Sequence, residues 1–265
     1  MKKKSWQSLV NTGLIILLFA CAGPETKLSD EEKLGGAENN VQMALNYLKQ
    51  GKPQLALDKV LLALKQDPQL VSAYSAAGMI YEKHGQPELA DKYFKRAIEL
   101  APDDAKTHND YGKFLCNRKK FTKAEEHFLI AVDSNTTRSA AVAYTNAGLC
   151  AIRIPDADRA AQYFRAAIDA NPEMAIPYYH LARIDFEKER YAQARRNFQS
   201  YLHYGTQTSK ALLLGIGIEQ ALGDKEAQTQ YARVLKEKFP ESEEARQLLT
   251  QYPELYMSIL SEGQQ

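Results

Sequence analysis

Cysteine and histidine side chains are frequent in metal-binding and catalytic sites. Their spacing in this sequence limits which of these sites they could form. They stand at eight positions: Cys21, Cys116, Cys150, His84, His108, His127, His180 and His203. No two cysteines form a CxxC pair, so a zinc site with four ligands is not indicated. Histidines that stand singly, as these do, are typical of packing or surface positions.

The motifs of common enzymes are also missing from the sequence. It contains no HExxH, no GxSxG and no Walker loop, and its GIGIEQ stretch lacks the third glycine of a dinucleotide-binding site. Lys and Arg number 34 against 33 Asp and Glu, so there is no basic excess of the kind that nucleic-acid-binding domains carry. We therefore predict a non-enzymatic protein with no catalytic residues, no metal, no other cofactor, no nucleic-acid partner and no small-molecule substrate.

Cys21 lies at the end of an apolar run near the start of the chain. Lys2, Lys3 and Lys4 form a positive segment, and the apolar run extends over positions 14–22. The run is far shorter than the ~20 residues that cross a bilayer as a helix, and a charged start with a short apolar core is typical of a secretory signal. The sequence LFAC that ends it resembles the bacterial lipobox. We predict that residues 1–20 are a lipoprotein signal peptide and that Cys21 is acylated. The alternative is an ordinary signal peptide that is cleaved near Ala20 or Ala22.

Acylation of Cys21 has consequences for location. Two or more acyl chains, at ~0.8 kcal/mol per buried CH₂, anchor a protein stably. Ala22 follows the cysteine, where an aspartate retains lipoproteins in the inner membrane of the best-known bacteria. We therefore predict a lipid-anchored protein of the outer membrane of a Gram-negative bacterium, facing the periplasm. Residues 21–36 are predicted to be a tether linker. Alternatively, the second half of this linker extends the first helix, because Asp30, Glu31 and Glu32 suit a helix N-terminus.

The rest of the chain repeats every 34 residues. One copy of the pattern consists of Gly78, Tyr81, Ala90, Phe94, Ala97 and Pro102, and further copies lie 34 residues before it and at near-34-residue steps after it. The pattern resembles the tetratricopeptide repeat, a pair of antiparallel helices in which small residues let the two helices approach and aromatic residues fill the space between them. Such pairs stack because none buries its apolar face alone.

This resemblance implies an all-α fold, a right-handed α-solenoid of six tetratricopeptide repeats with a C-terminal capping helix. The predicted repeats are residues 37–70, 71–104, 105–140, 141–174, 175–207 and 208–241. Two extra residues displace the fourth repeat. Residues 242–265 are predicted to form the capping helix, broken near Pro253, and a tail.

In a solenoid of this kind, the first helix of each repeat lines the concave groove. The predicted groove residues are apolar at the amino-terminal end and polar further along: Val41, Leu45, Leu48, Met79, Glu82, Lys83, Lys106, Asn109 and Lys113. An apolar groove suits an amphipathic partner helix. Alternatively, the preceding linker covers Val41, Leu45 and Leu48.

The order of these features resembles one lipoprotein family. A lipobox followed directly by six such repeats is similar to the PilF/PilW pilotins of type IV pilus biogenesis, as are the stretches FLCNRKKFTKAEEHFLIAV and NAGLCAIRIPDADRAAQYFRAAI. The resemblance implies a partner, the secretin subunit of the type IV pilus, whose targeting or multimerisation the protein promotes, and hence a role in pilus biogenesis and twitching motility. The alternative is a scaffold lipoprotein of another envelope machine, for outer-membrane protein insertion or for peptidoglycan enzymes.

The remaining cysteines, Cys116 and Cys150, are predicted to form a disulfide bond. They lie on the first helices of neighbouring repeats, which stack side by side, and the periplasm is oxidising. Paired cysteines also match the pilotin family. Because the two positions differ by two residues in register, two buried free thiols remain the alternative.

Overall fold

The computed structural model describes residues 30–133, 137–154 and 156–262, and this part of the chain contains fourteen helices and no strand. Twelve of the helices form successive antiparallel pairs: α1 (Asp30–Lys49) with α2 (Pro53–Gln66), α3 (Val71–Lys83) with α4 (Pro87–Leu100), α5 (Ala105–Asn117) with α6 (Phe121–Val132), α7 (Thr137–Ala151) with α8 (Ala157–Ala170), α9 (Ala175–Glu187) with α10 (Tyr191–Tyr204), and α11 (Ser209–Leu222) with α12 (Lys225–Lys238). Two shorter helices, α13 (Glu243–Gln251) and α14 (Pro253–Glu262), follow.

Local sequence explains where many of these helices begin. Pro53 and Pro87 stand in the first turn of α2 and α4, where a missing N–H costs nothing because no helical acceptor precedes it. At the starts of α5, α8 and α12, an aspartate side chain accepts a hydrogen bond from a backbone N–H of the first turn. Such capping oxygens satisfy donors that the helix cannot pair internally.

Within each pair, a small residue lets the two helices touch. A Cβ atom added at Gly78, Gly112 or Gly148 would lie 2.8, 2.7 or 2.6 Å from a phenylalanine ring of the second helix of the pair. The rings belong to Phe94, Phe128 and Phe164, each no more than 1% exposed. The glycines are therefore required for close packing.

The two ends of the described solenoid are finished differently. At the carboxyl end, α13 and α14 cover α11, because Leu212 and Ile216 are fully buried in one cluster with Leu248 and Ile259. At the amino end nothing described covers α1, whose outer edge is largely polar. Asn39, Gln42 and Asn46 are exposed at positions where the second repeat buries Ala73, Ala76 and Ile80. Polar outer faces are what terminal repeats need.

Two predicted boundaries differ from the structure. The helix α1 begins at Asp30, so residues 30–36 of the predicted linker are helical, as the alternative had it. The helix α7 begins at Thr137, four residues before the predicted start of the fourth repeat at Ala141. The predicted break near Pro253 matches the end of α13 and the beginning of α14.

Candidate partner-binding face

The predicted lipidation site, Cys21, lies outside the described residues, as does the predicted signal peptide. None of the helices between Asp30 and Glu262 is both long and apolar enough to cross a membrane.

One predicted groove residue is not available to a partner. Val41 is 1% exposed and belongs to the core that the first two repeats share, together with Ala73 and Ala76. The prediction that Val41 lines an open groove is therefore wrong. The side chain is buried in the cluster that residues of α1, α2 and α3 form together.

The other apolar residues of the predicted groove lie together. Leu45, Leu48 and Met79 are half-buried and pack against the same core cluster. Each keeps part of its surface open to solvent, so the three form a small apolar area shared by α1 and α3. We call this area, with the polar residues Glu82, Lys83, Lys106, Asn109 and Lys113, the groove face.

Four of the five polar residues of the groove face make hydrogen bonds or ion pairs. The carboxylate of Asp110 lies between Lys106 and Lys113, with Nζ–Oδ distances of 3.3 and 3.8 Å. All three belong to α5, so the two exposed ammonium groups share one acid. Lys83 at the end of α3 is exposed.

Further hydrogen bonds join the first helices of successive repeats. The side-chain amide of Asn117 donates to Glu82 at 2.9 Å, and Arg153 donates to the amide oxygen of Asn117 at 3.0 Å. The amide of Asn146 donates to Asn109 at 2.8 Å. These bonds fix the spacing of α3, α5 and α7 along the groove face.

Sequence reasoning did not include Arg153 and Asn146 in the site. Asn146 contacts the predicted groove residue Asn109. Arg153 contacts Asn117, which in turn donates to the predicted groove residue Glu82. The signal that could have found them is the register itself. Extending the groove positions of the third repeat by 36 residues, the spacing across the two-residue insertion, maps Asn117 onto Arg153 and lies within one position of Asn146.

The structure places Cys116 and Cys150 in a disulfide bond. Their Cα atoms are 5.9 Å apart, within the usual range for such bonds, and both side chains are buried. The bond joins α5 to α7, next to the hydrogen bond between Arg153 and Asn117. It therefore links the two repeats between which the register shifts by two residues.

The described residues contain no cluster of three or more His, Cys, Asp or Glu side chains that could hold a metal ion. The groove face is a surface with an apolar end and a charged, hydrogen-bonded middle. Chemically, such a surface can bind a polypeptide.

The fold agrees with comparisons to known proteins, which also identify proteins related to this chain. Three family profiles described as tetratricopeptide repeat match residues 71–104, 93–126 and 115–175. Type IV pilus assembly protein PilF of Pseudomonas aeruginosa is 25% identical over 202 residues, covering 76% of this chain and 80% of PilF. The chain contains tetratricopeptide repeats and is homologous to PilF.

Solved structures show the same relationship. The structure of Pseudomonas aeruginosa PilF superposes with a TM-score of 0.71 at 24% identity and covers 83% of this chain and 99% of PilF. PilW, described as a widely conserved type IV pilus biogenesis factor, gives a TM-score of 0.69 at 27% identity, covering 80% of this chain and 98% of PilW. An uncharacterised protein of Haemophilus influenzae is 36% identical over 115 residues, which is 43% of this chain and 64% of that protein.

Proposed function

We propose that this protein is a pilotin of the type IV pilus, an outer-membrane lipoprotein that binds the secretin subunit and promotes its targeting to the outer membrane and its multimerisation. The observation that carries the proposal is the similarity to PilF and PilW over about four-fifths of the chain. Pilus biogenesis and twitching motility depend on the protein in this proposal. Fold alone would not support the assignment, because tetratricopeptide repeats bind many unrelated partners.

The groove face is the proposed binding site for the secretin. Leu45, Leu48 and Met79 provide an apolar surface that is only half-buried, and an amphipathic helix could bury the rest of it. Lys83 stands beside this surface and could contact an acidic residue on the polar side of such a helix. The disulfide and the hydrogen bonds between α3, α5 and α7 support the proposal, since a rigid site loses less entropy on binding.

Substituting Leu45 tests the binding site. Burying a leucine contributes about 1.5–3 kcal/mol, so Leu45→Asp should weaken binding to purified secretin at least about tenfold. Leu249→Asp is the matched control, because Leu249 is 48% exposed on α13, far along the chain from the groove face. Circular dichroism must show equal helix content in both variants. Unchanged binding by folded Leu45→Asp would contradict the proposed site.

Deletion of the gene separates the pilotin from the alternative class. If the protein is a pilotin, its deletion should remove secretin multimers from a blot while the secretin monomer remains. A general loss of outer-membrane proteins would instead favour a scaffold of another envelope machine.

Lipidation at Cys21 is tested by metabolic labelling. A palmitate analogue should label the wild-type protein and not Cys21→Ser, because the acyl chains are proposed to be attached to this residue. The wild type should fractionate with the outer membrane. If Cys21→Ser fractionates there equally well, the proposed anchor is wrong.

A further inference from the structure

Four large apolar side chains of the first helix pair are exposed to solvent. Leu55, Leu61 and Leu62 of α2 are 46%, 41% and 40% exposed, and Met43 of α1 is 40% exposed. The leucines share the solvent side of α2 with Gln54, Asp58 and Lys65, as the spacing of the exposed residues shows. We call Leu55, Leu61 and Leu62 the α2 leucine face.

The repeat architecture does not require leucine at these positions. The second repeat has Leu89, Lys95 and Arg96 there, the fourth has Arg159, Arg165 and Ala166, and the fifth has Gln193, Gln199 and Ser200. The third repeat has Lys123, Leu129 and Ile130. Only the first of these repeats is apolar at all three positions. The exposed leucines are therefore specific to this end of the molecule.

A further repeat stacked on the first does not account for the exposed leucines. A preceding repeat would pack against the outer edge of α1, where Asn39, Gln42 and Asn46 are exposed.

The position of α2 in the chain indicates a lipid surface. The proposed acyl anchor at Cys21 lies nine residues before the start of α1 at Asp30, and nine residues reach at most about 32 Å. The first helix pair is therefore the part of the described structure that must stay near the bilayer. Exposed Lys49, Lys52 and Lys65 lie on the same helix pair, and lysines beside exposed leucines are typical of helices that lie in a membrane interface.

We propose that the α2 leucine face docks onto the phospholipid surface of the membrane to which the chain is anchored, as a second contact besides the acyl chains. The proposal rests on the anchor in the proposed function. Insertion of the leucines restricts rotation about the tether. Leu45 and Leu48 lie on α1 and Met79 on α3, so docking through α2 leaves the groove face free for a protein partner.

A single tryptophan reports the contact. Trp6 is the only tryptophan and precedes Cys21, so a chain that begins at Cys21 has none and retains every described helix. Leu62→Trp places a reporter in the α2 leucine face. Ile130→Trp is the matched control, because Ile130 holds the equivalent position two repeats later and is 45% exposed. Near Ile130 lie Asp103 and Asp133, which line the same cleft and disfavour an anionic surface.

Both variants are coupled through the Cys21 thiol to a maleimide lipid in vesicles of phosphatidylethanolamine and phosphatidylglycerol. For Leu62→Trp we expect blue-shifted emission and about twofold quenching by brominated phospholipid, since the indole would lie in the interface. Ile130→Trp should keep the emission of a solvent-exposed indole. Replacing Leu55 and Leu61 by Gln in Leu62→Trp should return its emission to that of the control, with helix content unchanged.

The outcomes separate this proposal from the anchor on which it rests. The maleimide coupling supplies the tether chemically, so absence of palmitate labelling in cells would refute the anchor without affecting the vesicle result. Equal quenching at both positions, or quenching at neither, would overturn docking through α2. Protection of Leu62→Trp by purified secretin rather than by lipid would also overturn it, because the leucines would then belong to a protein interface.

Discussion

At the scale of single residues, His108 and His127 form a pair that the sequence does not indicate. Their Nδ1 atoms are 2.8 Å apart, and Nε2 of His108 lies 2.8 Å from the carbonyl oxygen of Pro102. A carbonyl can only accept, so Nε2 of His108 carries a proton. When His108 is neutral, its Nδ1 accepts and Nδ1 of His127 donates. Burial, together with the neighbouring His108, lowers the pKa of His127 to about 4.

This pair predicts a loss of stability in mild acid. The folded pKa of His127 lies below the unfolded value of about 6.5. Between pH 6.5 and about 4 the unfolded chain therefore binds more protons, and the free energy of unfolding falls as the pH falls. Above pH 6.5 the contribution is complete. In His127→Gln, whose amide can still donate to His108, denaturant unfolding at several pH values should show a smaller loss.

The exposed His203 provides the control. His203→Gln should follow the wild-type dependence on pH. A wild-type dependence in His127→Gln as well would show that the pair does not contribute.

At the scale of elements, five of the described turns between paired helices share one conformation. Gly51, Gly85 and Gly223 have positive φ angles of 70°, 69° and 76°. Lys119 and Glu189 hold the equivalent positions in the third and fifth repeats, with φ of 59° and 58°. In these five turns the backbone geometry is the same whether the residue is glycine, lysine or glutamate.

Glycine at these two positions should therefore stabilise the protein. In the left-handed region, the conformation of a residue with a Cβ atom is about 1–2 kcal/mol less favourable than that of glycine. Glycine also raises the entropy of the unfolded chain, which lowers the free energy of unfolding by up to ~1 kcal/mol. We expect Lys119→Gly and Glu189→Gly each to raise the free energy of unfolding by about 0.5–1 kcal/mol, measured by urea denaturation. Gly85→Ala is the converse variant and should be less stable than wild type. Lower stability of both glycine variants would contradict this explanation of the turn.

At the scale of the whole molecule, the disulfide between Cys116 and Cys150 links the two halves of the solenoid where the register shifts. The two cysteines are 34 residues apart, and closing a loop of this length contributes up to ~4 kcal/mol by the chain-entropy estimate. Protein produced in the periplasm, denatured without reductant, should therefore show no free thiol at Cys116 or Cys150. A reductant should lower its stability.

The double variant Cys116→Ala/Cys150→Ala is the control for reduction. It should be less stable than the oxidised wild type and insensitive to reductant. Two free thiols in the denatured, unreduced wild type would show that the bond does not form.

The repeats and the family could be predicted from the sequence because their causes are local and periodic. Gly78 and Phe94 recur as Gly112 and Phe128 at a spacing of 34 residues, and each such pair packs within one helix hairpin. The pairing of Cys116 with Cys150 was predicted from the stacking of adjacent first helices, the oxidising periplasm and the resemblance to the pilotin family, and the structure brings their Cα atoms within 5.9 Å.

The exposure of individual side chains was decided only by the tertiary structure. Val41 and Leu45 lie one helical turn apart, yet Val41 is buried in the core that the first two repeats share, while Leu45 keeps open surface. His108 and His127 are 19 residues apart and meet only because α5 and α6 run antiparallel. The periodic pattern places Leu55, Leu61 and Leu62 on a helix, but only the structure shows that their side chains are exposed. Burial and hydrogen bonding depend on which helices pack against a position, and those helices are distant in the sequence or, at an open end of the solenoid, absent from the described chain.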